Sequence, residues 1–138
     1  MMASIEVPVL EKTILPKAMQ MDHEFSTKQL LVVLQNDRLG HVAPPEGIAL
    51  LAGLLSRFVV LEALPVAVIL QGVAVRLTAE DNVVARQLKQ LMALHVPILV
   101  CQESLDALDL RNHLEGARLA TQREIAEHIL KASQIAWL

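Results

Sequence analysis

Three short apolar runs set the rhythm of this chain: QLLVVLQN (29–36), VAVILQG (66–72) and VPILV (96–100). None alternates apolar with polar residues. Continuous aliphatic runs of this length are the pattern of strands buried on both faces. Between them lie segments with helical periodicity. EGIALLAGLLSRFVVLEAL (46–64) is apolar at 48, 51, 52, 55, 58 and 59, a wide stripe on one helix face. Pro45 suits its first turn, and Pro65 stops whatever follows. AEDNVVARQLKQLMAL (79–94) is apolar at 83, 84, 88, 91 and 92. Thr78 is its expected cap, with Asp81 three residues on.

The rhythm continues to the C-terminus. Ser104 is the expected cap of a helix over LDALDLRNHLE (105–115), closed by Gly116. ARLA (117–120) reads as a short fourth strand. Thr121 and Glu124 form a T-x-x-E box that opens a helix over QREIAEHILKAS, and IAWL (135–138) reads as a last strand. Strands that alternate with helices pair in parallel through right-handed crossovers. The expected fold is therefore a three-layer α/β domain over residues 29–138, with a mostly parallel sheet of about five strands. Residues 1–28 hold four of the five methionines and two prolines, and read as an extension, an edge strand or a linker.

Hydrophobic residues make up 54 % of the chain and aromatics 2 %, so the core is aliphatic. A 138-residue monomer cannot bury so large an apolar share, which points to a homo-oligomer. Candidate interface segments are 58–64, 73–77 and the N-terminal extension. The net charge of −3, with no lysine-rich run, argues against nucleic acid. The most apolar window, 47–75, is broken by Arg57, Glu62 and Pro65 and does not fit a membrane span. One cysteine excludes an internal disulfide framework, and MMASIEVPVLEK lacks the form of a signal peptide. A cytoplasmic protein is the expectation.

In an open parallel sheet, ligands gather beyond the C-terminal strand ends. The candidates there are Asn36, Asp37, Arg38 and His41 after the first strand, and Gln71 and Gly72 after the second. Cys101, Gln102, Glu103 and Ser104 follow the third. If the first and third strands are neighbours, Arg38 or His41 faces Cys101. No phosphate-binding glycine motif is present, and the five histidines lack metal spacing, so no metal or organic cofactor is expected. Cys101 has two readings. A free cysteine is often simple packing. A thiol just before a helix can instead meet unpaired N–H groups that favour a thiolate, opposed here by the adjacent Glu103.

Five segments carry a resemblance to a known family: LLVVLQNDRLG (30–40), GIALLAGLLSRFVVLEAL (47–64), VILQGVAVRLTAE (68–80), VPILVCQESLDALDLRNHL (96–114) and EIAEHILKASQIAWL (124–138). In order and spacing, Leu30 to Leu138 resembles the DsrE/DsrF-like sulfur-relay superfamily, nearest to the C-terminal domain of YedF-type sulfurtransferase-like proteins. The resemblance implies a flavodoxin-like α/β fold and assembly as trimers or hexamers. It further implies a sulfur carrier or relay accessory with Cys101 as the persulfide-bearing thiol, working with donor and acceptor proteins. The YedF-type pattern has a second cysteine three residues on, where this chain has Ser104, so no intramolecular dithiol forms. The alternative is a non-catalytic oligomeric ligand-binding or structural subunit in which Cys101 only packs.

Overall fold

The computed structural model describes residues 29–138. The readings of residues 1–28 as edge strand, linker or interface lie outside the described residues. Five strands form one all-parallel sheet: β1 (Leu30–Leu34), β2 (Ala67–Leu70), β3 (Ile98–Cys101), β4 (Arg118–Ala120) and β5 (Gln134–Trp137). Their order is β4-β3-β2-β1-β5. The helices are α1 (Glu46–Val60), α2 (Val83–Ala93), α3 (Gln102–Ala107) and α4 (Gln122–Lys131), with a 3-10 helix at Gly72–Thr78.

The three aliphatic runs are the three central strands, and apart from half-buried Leu30 every residue of β1, β2 and β3 is buried. Steps β1→β2→β3→β4 all move the same way across the sheet. The step β4→β5 returns past three strands to the far side of β1. Right-handed crossovers then put α1, α2 and α3 on one face and α4 on the other, which gives the three-layer flavodoxin-like α/β architecture. Leu51, Ala52 and Leu55 of α1 and Val84, Leu88 and Leu91 of α2 are buried in the core cluster with the strands.

Strand order corrects one expectation. Because β2 lies between β1 and β3, those two strands are not neighbours, and the first loop does not face Cys101. Caps correct others. Thr78 ends the 3-10 helix, its hydroxyl donating to the Val75 carbonyl at 2.8 Å, and does not open α2. Asn82 does so, its Oδ1 accepting from the N–H groups of Val84 and Ala85. The α3 cap is Cys101, not Ser104.

α3 also stops after six residues rather than running on to Gly116. Asp109 takes a left-handed φ of 54°, and the Leu110 N–H returns to the Leu105 carbonyl at 2.9 Å. This is the bond pattern of a Schellman ending, supplied here by aspartate, one of the few side chains that tolerate that backbone. α1 and α2 close the same way, at Glu62 (φ 54°) and His95 (φ 69°), with Ala63 N–H on Phe58 and Val96 N–H on Leu91. Glycine usually marks such endings, and these three carry no glycine signal. The Thr121/Glu124 box, by contrast, opens α4 as expected.

Of the candidate interface segments, 73–77 is largely core: Val75 and Leu77 are fully buried, while Val73 is exposed. Val60, Leu61 and Leu64 are exposed as well. No helix of the described residues is long and apolar enough to cross a membrane.

Candidate functional site

Chain direction across the sheet reverses after β4. The loop leaving β3 leads outward, and the loop leaving β4 leads back, so α3 and α4 depart toward opposite faces. A crevice forms at such a point in an open α/β sheet. Cys101 ends β3 there, opposite Ala120 of β4.

The sulfur is buried, with Cys101 only 1 % exposed. It caps α3: the backbone N–H of Ser104 donates to Sγ at 3.4 Å. The thiol in turn lies 3.7 Å from Glu103 Oε1, to which it donates. The same Oε1 accepts the backbone N–H of Gln122, in the first turn of α4, at 3.0 Å. Glu103 thus clasps the third and fourth strand ends together above the thiol. A third element joins from the 3-10 helix. Gly72 N–H donates to Ser104 Oγ at 2.8 Å, with Gly72 at φ +59°, a backbone that glycine adopts without penalty. The Ser104 hydroxyl therefore anchors the second loop, and only the Ser104 backbone N–H serves the sulfur.

The residues of the first loop stay apart. Asn36 Nδ2 donates to the Gly40 carbonyl at 3.0 Å, and Asn36 Oδ1 accepts from Asp37 N–H. Arg38 Nε pairs with the buried Asp37 carboxylate at 3.0 Å. His41 is exposed. Gln71 closes onto β1 through its N–H and the Leu34 carbonyl, and Gln102 Nε2 donates to Asp106 Oδ1. The structure thus gathers Cys101, Glu103, Ser104 and Gly72, and leaves Asn36, Asp37, Arg38 and His41 in a separate loop.

Gln122 was not a sequence candidate. The T-x-x-E box fixes it as the first residue of α4, but its approach to Glu103 depends on β3 and β4 being neighbours, which periodicity does not reveal. The same helix start holds Glu124. Its carboxyl sits below the usual glutamate range because it accepts the Thr121 backbone N–H and, secondarily, the Arg118 guanidinium at 3.0 Å. Among the described residues no group of three or more His, Cys, Asp and Glu is placed to hold a metal ion.

No family model matches the chain, and no curated protein matches it. Among solved structures it is similar to the crystal structure of the ychN protein from E. coli. The TM-score is 0.59 at 21 % sequence identity, over 80 % of this chain and 99 % of that one. Sheet order, layer arrangement and this likeness agree on a flavodoxin-like α/β fold shared with that protein.

Proposed function

We propose that this chain is a sulfur-relay accessory protein in which Cys101 accepts and passes on a sulfur atom. The observation that carries the reading is the pair of groups on the thiol: an acceptor carboxylate, Glu103, and a backbone donor, Ser104 N–H. Transfer from a sulfane donor R–S–SH needs both. Cys101 Sγ attacks the outer sulfur, its proton passes to Glu103, the S–S bond breaks, and the proton goes to the departing R–S⁻. The products are Cys101–S–SH and R–SH. The Ser104 N–H faces the charge that develops on sulfur. Ser104 in place of a second cysteine leaves the persulfide without an internal resolving thiol, so the sulfur leaves to a partner protein. Access requires the Glu103–Gln122 clasp to part. A homo-oligomer belongs to the same reading, with the exposed Val60, Leu61 and Leu64 as its candidate contact.

A second reading has its own observation. Cys101 is part of the core cluster and only 1 % exposed, as expected of a packing residue in a structural or ligand-binding subunit. Intact mass after incubation with a persulfide donor separates the two. Sulfur carriage requires a gain of one sulfur atom, reversed by a thiol reductant and absent in Cys101→Ser. No mass gain in either protein gives the second reading.

A further inference from the structure

A groove of ≈ 470 Å³ lies beside α3, between the turn that ends the helix and edge strand β4. This size falls in the range of small-molecule sites. Cys101 does not line it, so its use is independent of sulfur carriage. Its lining has three parts. Leu105, Leu110 and Leu119 supply apolar surface, and Leu119 is 44 % exposed, large for an aliphatic side chain. Asp106 and Asp109 supply negative charge, and Arg111 supplies positive charge.

The opposite charges do not cancel one another. The ion pairs among the described residues are Arg38–Asp37, Arg86–Asp81, Arg118–Glu124 and Arg123–Glu127. Neither Asp109 nor Arg111 takes part, although they are two residues apart and line the same groove. Asp109 occupies the left-handed position and the chain turns there, which sends the segment from Leu110 onward in a new direction. A groove whose lining holds carboxylates, a guanidinium and apolar side chains, with no ion pair joining Asp109 to Arg111, matches a molecule with both charges and a hydrocarbon body.

We infer that this groove binds a small zwitterion, a free α-amino acid with an aliphatic side chain. Its ammonium faces Asp109 and Asp106, its carboxylate faces Arg111, and its side chain lies on Leu105, Leu110 and Leu119. A half-open site with exposed charges gives affinity in the millimolar range.

The test is NMR titration of the ¹⁵N-labelled full chain with L-leucine, isoamylamine, which lacks the carboxylate, and 4-methylpentanoate, which lacks the ammonium. Saturable shifts in residues 102–112 and 119 are expected with leucine. Each single-charge analogue should bind about tenfold more weakly, as should leucine to Asp109→Asn and to Arg111→Gln. Both positions are at the surface, so the variants fold. No saturable shift with leucine overturns the inference, as does equal affinity for the three compounds. So does leucine binding that neither substitution weakens.

Discussion

The ends of β1 and β3 carry similar sequence signals, a buried aliphatic strand running into a cluster of polar residues, yet they are built in opposite ways. The first loop is tied to itself and to the helix that follows: Asn36 to Gly40, Arg38 to Asp37, and Leu39 N–H to the Gly47 carbonyl. The third strand end is tied to distant parts of the chain. Ser104 holds Gly72, 32 positions away, and Glu103 holds Gln122, 19 positions away. A local loop positions its own polar groups and leaves nothing for a neighbour. A strand end beside the reversal of chain direction ties α3 to the 3-10 helix and to α4 next to Cys101. Polar residues at a strand end mark a site where the loop of the neighbouring strand departs toward the opposite face of the sheet.

Substitutions on the two sides should break this contrast unequally. The largest effect belongs to Gly47→Ala. A Cβ there would meet the backbone carbonyl of Val42, with Arg38 Cβ at 3.2 Å, so the first loop must move away from α1. Backbone rearrangement of this kind costs about 1–3 kcal/mol. Chemical denaturation should show that loss, with Cys101 chemistry changed little because no residue of the first loop bonds Cys101, Glu103 or Ser104 directly.

Ser104→Ala comes next. It breaks an exposed bond that joins two elements 32 positions apart, a cost of about 0.5–1.5 kcal/mol. Hydrogen exchange at Gly72 should accelerate. Unchanged exchange there would mean that the 3-10 helix is held by other contacts. Asn36→Ala removes an equally exposed bond between residues four positions apart, which the chain itself keeps close, so its cost should stay below about 0.5 kcal/mol. A loss equal to that of Ser104→Ala would erase the distinction between local and long-range ties.

The smallest effect is on pH dependence. Glu124 has a lowered pKa in the folded state, chiefly through the Thr121 N–H. Its contribution is present above the unfolded glutamate range and disappears as pH falls through the lowered folded value. Glu124→Gln should therefore flatten the acid limb of the stability profile and leave the neutral region nearly unchanged. An acid limb identical to wild type would show that the carboxylate at the α4 cap is not linked to folding.

The same contrast explains what the sequence discloses. The sheet strands and the faces of α1 and α2 are legible because burial imposes a periodicity. The α4 cap is legible because the T-x-x-E box is a local motif. Cys101 at the end of β3 follows from the strand pattern alone. The order of strands is not local, so the approach of Arg38 and His41 to Cys101, conditional on β1 and β3 being neighbours, is not realised, and Gln122 goes unnoticed. The early stop of α3 at Ala107 is hidden because Asp109 takes a left-handed position that glycine would have announced.

The central claim is that Cys101 is a working thiol held shut by Glu103, and native-state alkylation tests it most directly. Iodoacetamide labelling of wild type and Glu103→Ala should be followed by mass spectrometry, alongside the global unfolding rate of each protein. The account predicts slow labelling in wild type that still outpaces unfolding, and faster labelling in Glu103→Ala, where the clasp to Gln122 is gone. Labelling of both proteins only at their unfolding rates would contradict it and leave Cys101 as a core residue that caps a helix.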